Sequence, residues 1–313
     1  MHGLPGGGPP GAMAGGVRSW ESRAGTGPVL RGRRAEPAPG KPTLHFLSGN
    51  GFCGGVYWPF LKRFLPDYGP PPGLHGGYGL FLHDIEGHGA SDAPANFSGI
   101  GAIARRIPEV MREQGLLDGR PLIGVGHSFG AAMTLKVAAD NPGMFRALVL
   151  LDPIVFPGPV WLAMRAMATL GLHPMVKAAQ RRRRAWASRD EVIDKLRGRG
   201  IYKGWTEEAL ACFADYATKD EGGQRVLCCP PELEAEIYER PVYPWPSFRN
   251  VTAPILFLNG ASSYPFFQPA SRLAKRANPG VEVATVPGHH CFMLEDPADA
   301  HAAVTGFLGR HNL

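Results

Sequence analysis

Disulfides, metal clusters and membrane spans are each poorly provided for in this sequence. Its 313 residues include only five cysteines (Cys53, Cys212, Cys228, Cys229 and Cys291), odd in number, scattered and never in a CxxC pair. Neither a disulfide framework nor a zinc site is indicated, no metal is expected, and a reducing compartment fits. No apolar run approaches the roughly 18 residues of a spanning helix. The opening MHGLPGGGPP also lacks the continuous apolar core of a signal peptide. These absences predict a cytoplasmic protein with no stable membrane insertion. Charged residues make up 19% of the chain and hydrophobic ones 44%, which excludes wholesale disorder and permits a sizeable core.

The chain carries 33 Lys+Arg against 27 Asp+Glu, a net +6, and nucleic acid is the first partner such a surplus suggests. Its distribution argues otherwise. Residues 177–203 hold ten basic and three acidic side chains, a local surplus larger than that of the whole chain. One segment, with the run Arg181, Arg182, Arg183 and Arg184 at its centre, supplies the imbalance. It reads as a solvated helical face, so no nucleic-acid partner is expected. Docking of that run to an anionic surface is a weaker reading.

Residues 1–40 contain eleven Gly and six Pro and read as a flexible leader, too poor in periodic apolar residues to offset the entropy of ordering. From residue 42, short apolar runs alternate with helix-length stretches, the pattern of βαβ units and a mostly parallel sheet. Strands are expected at 43–47, 79–83, 122–125, 147–151, 255–258 and 281–286, and helices at 101–114, 129–140 and 298–308. Between residues 152 and 254 the alternation stops. Residues 153–249 therefore read as a helical cap inserted into a core made of 41–152 and 250–313. Within it Trp161, Met164, Met167 and Leu170 recur near helical spacing; core packing of the insertion is the first reading, a substrate-facing lid the second.

Gly126, His127, Ser128, Phe129 and Gly130 fit GxSxG, directly after the apolar strand PLIGV and directly before the helix opening FGAAMTLKVAA. A serine on such a strand-to-helix turn is thrust out of the sheet, and the helix N-terminus beneath it favours developing negative charge. A hydroxyl becomes nucleophilic only when a base removes its proton. Two adjacent candidates, His289 and His290, follow the last expected strand.

Taken together, GNGF at 49–52, DIEGHGASD at 84–92, GHSFG at 126–130, LLDP at 150–153 and GHHCFMLEDP at 288–297 resemble the α/β-hydrolase fold family. The likeness is to its capped serine hydrolases of the small-molecule esterase and lyase branch, and covers about residues 42–308. The resemblance implies an α/β fold with a mostly parallel central sheet flanked by helices and an inserted helical cap. It selects His290, which lies five residues before a Glu that leads into Pro. It assigns the oxyanion hole to the backbone N–H groups of Phe129 and Phe52. Asn50 and Gly51 stand where the family usually has His-Gly, Asn50 holding the loop, and His127 supports the turn.

The family's usual acid, three residues beyond Gly260, is missing, because Ala261, Ser262 and Ser263 follow. Some relatives carry the acid after the preceding strand, where this chain has Asp152. The competing reading makes Asp152 an ordinary turn residue. Glu295 is expected to open the last helix, Asp84 to organise a loop, and Ser91 and Cys291 to be structural. Implied is a serine hydrolase that needs no cofactor and cleaves a small or medium apolar ester or thioester through an acyl-enzyme. The alternatives are a catalytically weak binding protein or receptor on the same scaffold, or a carbon-carbon hydrolase or lyase. The aromatic residues of the insertion, with Tyr264, Phe266 and Phe267, suggest a hydrophobic pocket for a small-molecule substrate. Nothing in the sequence gives the oligomeric state.

Overall fold

A computed structural model describes residues 16–68 and 76–313. In chain order its strands are β1 (Arg18–Ser22), β2 (Leu30–Ala35), β3 (Thr43–Leu47), β4 (Gly79–Asp84), β5 (Leu122–His127) and β6 (Ala147–Leu151). They are followed by β7 (Ala185–Trp186), β8 (Thr218–Glu221), β9 (Gln224–Leu227), β10 (Ile255–Gly260) and β11 (Val281–Val286). Eight of them form one sheet in the order β1-β2-β4-β3-β5-β6-β10-β11. The six from β4 to β11 run parallel. Parallel strands are covered on both faces, which is why the apolar runs in β4, β5, β6 and β10 are continuous and every residue in them is buried. Helices Ile100–Glu113, Phe129–Asp140 and Phe267–Ala277 pack on one face, and Trp58–Leu61 and Pro297–Arg310 on the other. The strand order reverses between β3 and β5, the crevice where open α/β sheets bind ligands.

Residues 1–15 of the expected leader lie outside the described residues. The rest of it is not a flexible tail: β1 and β2 form an antiparallel hairpin that extends the sheet beyond β4. Trp20 stacks on Phe81 with ring centroids 4.6 Å apart and donates its indole N–H to the Leu82 carbonyl at 3.2 Å. A Cβ at Gly32 would sit 1.9 Å from that carbonyl oxygen, so this glycine serves close packing rather than flexibility.

The insertion also departs from an all-helical cap. β7, β9 and β8 form a three-stranded antiparallel sheet within it. The helix Trp245–Asn250 at its far end buries Trp245 and Phe248 in the same apolar cluster as helix Phe129–Asp140, so it packs with the core. The helix Gly158–Thr169 buries none of its residues. Its apolar stripe is therefore not core packing, and Met164 instead lines a cavity over the sheet.

The basic run is neither helical nor uniformly solvated. Helix Pro174–Gln180 ends before it, and its side chains other than that of Arg181 are matched to acids of the insertion, as are two arginines beyond it. Arg183 pairs with Glu191 at 2.7 Å, Arg184 with Glu232, Arg189 with Asp215 at 2.6 Å, and Arg197 with Glu207 at 2.8 Å. The local charge surplus is thus largely neutralised inside the cap.

Candidate active site

The last paired positions of β5 and β6 are His127 and Leu151, and the next residue of each strand leaves the sheet with positive φ, 54° at Ser128 and 40° at Asp152. Such backbone costs about 1–3 kcal/mol at a non-glycine residue and persists only where its surroundings enforce it. They do so here: Ser128 N–H donates to the Leu151 carbonyl at 3.0 Å, and Ile154 N–H to the Ser128 carbonyl at 3.1 Å. The flanking glycines are required by contact. A Cβ at Gly126 would lie 2.5 Å from the Gly130 carbonyl oxygen, and one at Gly130 would lie 2.2 Å from that of Leu47. Ser128 is the N-cap of helix Phe129–Asp140 but makes no side-chain cap bond, which leaves its hydroxyl for another partner.

That partner is His290, whose Nε2 lies 3.0 Å from Ser128 Oγ, while its Nδ1 lies 3.0 Å from Asp152 Oδ2. A carboxylate can only accept, so Nδ1 carries the proton and the Nε2 lone pair faces the serine hydroxyl. Asp152 is fully buried. It also accepts Gly260 N–H at 3.1 Å and the hydroxyl of Ser263. Ser263 occupies the position where the family resemblance places the acid, and its hydroxyl is hydrogen-bonded to Asp152. The ring of Phe267 stacks on His290 at 5.5 Å. His289 is engaged elsewhere: its N–H and Nδ1 contact Glu295 at 3.1 Å. Glu295 closes the short helix Phe292–Glu295 rather than opening the last one, which Asp296 caps.

The loop after β3 is tied to both neighbours. Gly49 N–H donates to the Tyr57 hydroxyl at 3.2 Å, and that hydroxyl lies 2.7 Å from His127 Nδ1. His127 Nε2 lies 2.9 Å from the His290 carbonyl. A carbonyl only accepts, so Nε2 donates and Nδ1 receives the tyrosine proton. Burial, with His290 beside it, holds His127 well below its ordinary pKa and hence neutral. Tyr57 carried no sequence signal; only the loop's return brings it under the turn.

The two expected oxyanion donors differ. The Phe129 N–H opens a helix and has no intrahelical acceptor. The Phe52 N–H closes a turn onto the Gly49 carbonyl at 3.1 Å, so in this structure it is not a free donor and would have to be shared with a bound oxygen. Asn50 donates its side-chain amide to the Glu234 carbonyl at 2.9 Å. Gly51 N–H donates to His88 Nε2 at 3.0 Å; burial lowers the pKa of His88 to about 4. Above Gly51 lies Arg182, whose guanidinium pairs with Glu234 at 2.6 Å and donates to the Tyr202 hydroxyl at 2.8 Å. Burial alone would depress the Arg182 pKa, yet Tyr202 and Glu234 outweigh it and hold the pKa above its ordinary value. With φ of 77°, Gly51 leaves room for this pair, because a Cβ there would lie 2.6 Å from Arg182 Nη1.

Asp84 accepts Gly54 N–H at 2.8 Å, and Ser91 donates to the Asp84 carbonyl at 2.6 Å, which are loop contacts away from the serine. Burial pushes the Asp84 pKa to about 6. Cys291 is buried, and burial raises its thiol pKa well above the ordinary value. Ser128, Phe129 and His290 open on a cavity of about 230 Å³. Its walls are mostly apolar, from Ile154, Phe156, Met164, Met175, Ile237 and Phe266 among others. Among the described residues no cluster of His, Cys, Asp or Glu is placed to hold a metal ion, and no helix is long and apolar enough to cross a membrane.

Known proteins share this architecture. The chain is 27% identical over 230 residues to 2-(acetamidomethylene)succinate hydrolase from Mesorhizobium japonicum, covering 72% of this chain and 76% of that one. A solved structure of E-2-(acetamidomethylene)succinate hydrolase superposes with a TM-score of 0.72 at 24% identity, over 94% of this chain and 99% of the other. Shorter matches join it to a type I acyl-CoA thioesterase of Penicillium roqueforti, 31% identical over 32% of this chain and 22% of that protein. Another joins it to lipase LipV of Mycobacterium tuberculosis, 43% identical over 23% and 26%. These two matches span only about a quarter of the relatives' own length. The model of the alpha/beta hydrolase family matches residues 46–304, and on that span, with this sheet order and turn, the chain belongs to the alpha/beta hydrolase family.

Proposed function

We propose that the protein is a serine hydrolase acting on a small or medium apolar ester or thioester, with Ser128 as nucleophile, His290 as base and Asp152 as acid. The observation that carries this reading is the unbroken line of 3.0 Å contacts from Ser128 Oγ through the imidazole to the Asp152 carboxylate. In the first step the Ser128 oxygen bonds to the substrate carbonyl carbon while His290 Nε2 takes the hydroxyl proton; Asp152 stabilises the resulting cation. The carbonyl oxygen gains charge beside the Phe129 N–H and the helix N-terminus, with Phe52 N–H sharing itself between that oxygen and Gly49. His290 then gives its proton to the departing alcohol or thiol, leaving an acyl-serine. Water, deprotonated by the same imidazole, completes hydrolysis. The apolar cavity supports an apolar substrate, and the thioesterase and lipase among the relatives support acyl chemistry.

A second reading, a catalytically weak binding protein, is favoured by the engagement of Phe52 N–H within its own turn. A fluorophosphonate probe separates the two. The hydrolase reading expects rapid labelling together with turnover of activated esters, both lost in Ser128→Ala. A folded wild-type protein inert to probe and esters would leave the binder.

A further inference from the structure

The cavity wall contributed by the cap contains a polar group for which the protein itself provides no use. His173 lines the cavity, is 3% exposed, and has an Nδ1 with no hydrogen-bond partner. It precedes helix Pro174–Gln180 as N-cap, yet its ring makes no cap bond; only its carbonyl is used, accepting Lys177 N–H at 3.1 Å. Burial lowers its pKa, with Glu239 acting weakly in the opposite sense, so the ring is neutral at pH 7 and offers one donor and one acceptor. Almost all buried polar side-chain atoms in folded proteins are partnered, and an orphan calls for an explanation. Packing could have been served by Leu or Phe, as in the surrounding Met164, Met175 and Ile237 wall.

The neighbouring groups narrow what could meet this ring. Tyr238 also lines the cavity, and among the described residues its hydroxyl has no hydrogen-bond partner. Arg240, the cation on the wall, is already committed at the exposed mouth: it donates to the Glu236 carbonyl at 2.9 Å, lies 3.8 Å from the Glu239 carboxylate and covers the Phe97 ring. Arg240 is thereby already engaged by Glu236 and Glu239, so an entering carboxylate would find no free guanidinium or ammonium among the lining residues. An uncharged oxygen meets a neutral imidazole and a phenol.

Resting on the reading of Ser128 as nucleophile, we propose that the cap side of the cavity is a subsite for an uncharged hydrogen-bonding group, a keto, hydroxyl or amide oxygen, carried by the substrate away from its scissile carbonyl, with His173 as the residue that recognises it. The enzyme then selects an oxygenated chain over a plain alkyl chain of the same length. A hydrogen bond made in an apolar cavity is worth about one order of magnitude in selectivity.

Three p-nitrophenyl esters of equal length test this: hexanoate, 5-oxohexanoate and the adipate monoester. Wild type is expected to show kcat/KM at least about tenfold higher for the oxo ester than for either other ester. His173→Leu should bring the oxo-to-alkyl ratio to about one whatever the absolute rates, and His173→Gln, which keeps a donor and an acceptor, should retain part of it. A wild-type preference for hexanoate or adipate, or an oxo preference that survives His173→Leu, overturns the proposal. Binding read without turnover keeps the two claims apart. In Ser128→Ala, calorimetry with 5-oxohexanamide and hexanamide should show the same roughly tenfold preference, lost on adding His173→Leu; equal affinities refute the subsite. If the wild type hydrolyses none of the esters while this binding preference holds, the nucleophile assignment fails and the subsite stands.

Discussion

The carboxyl edge of the sheet and the cap wall that faces it treat polar groups in opposite ways. At the sheet edge the side chains around Ser128 are held by protein partners: Asp152 accepts three donors, His127 is held at both nitrogens, and Gly49 and Gly51 are tied through their N–H groups, while the Phe129 N–H stays without an intrahelical acceptor. On the cap wall His173 and the Tyr238 hydroxyl have none among the described residues, while Arg182, Arg183, Arg184, Arg189 and Arg197 pair with acids of the cap. A preorganised edge suits chemistry, because donors fixed in advance need no reorganisation when charge develops. An unsatisfied wall suits selection, because its hydrogen bonds are completed only by what binds.

Substitutions at the edge should therefore be far more damaging to turnover than substitutions in the cap. Ser128→Ala should lower kcat for activated esters by about 10⁶-fold. Asp152→Asn should lower it by about 10⁴-fold and leave measurable activity, since the amide cannot stabilise the imidazolium or fix the tautomer. Full activity in Asp152→Asn would mean that the buried carboxylate only caps a turn.

The buried pair that joins the cap to the loop after β3 sharpens the contrast within the cap itself. Arg182→Met leaves the Glu234 carboxylate buried and unpaired over Gly51, and should cost about 3–5 kcal/mol in denaturant unfolding. Arg183→Met, removing an exposed partner of Glu191, should cost under about 1 kcal/mol. Equal losses would show that the two arginines do the same job.

Acid should reach the edge from beneath. His45 has its pKa lowered by burial to about 3 and His88 to about 4, both from 6.5. Each is neutral in the folded chain and takes up a proton on unfolding, so its contribution is full above about pH 6.5 and is lost as pH falls toward 4. The loss is about 1.4 kcal/mol per group per pH unit over that window. Urea midpoints from pH 7.5 to 4.5 would record it; a flat profile would contradict neutral burial.

Where local pattern and contact agree, the fold could be read directly. Continuous apolar runs gave β3 to β6 and β10 because central parallel strands are buried on both faces, while the edge strand β11 shows alternation, with its outward-facing positions partly exposed. The GxSxG turn was legible because the close approaches at Gly126 and Gly130 demand glycine. Composition misled at residues 18–35, where a Gly- and Arg-rich stretch forms a hairpin whose β2 pairs with β4 and whose Trp20 packs on Phe81. Periodicity misled at the helix Gly158–Thr169, since a helix that roofs a cavity has the same apolar spacing as one packed in a core. Tyr57, Arg182 and Ser263 could not be found from the sequence, because each gains its place through a contact that no local spacing encodes.

The most direct trial of the account is peptide mapping of the intact protein after brief exposure to a fluorophosphonate. The reading of the site predicts a single adduct on the peptide containing Ser128, absent in His290→Ala. An adduct on Ser91 or Ser263 instead, or a wild-type protein that stays unmodified, would contradict it.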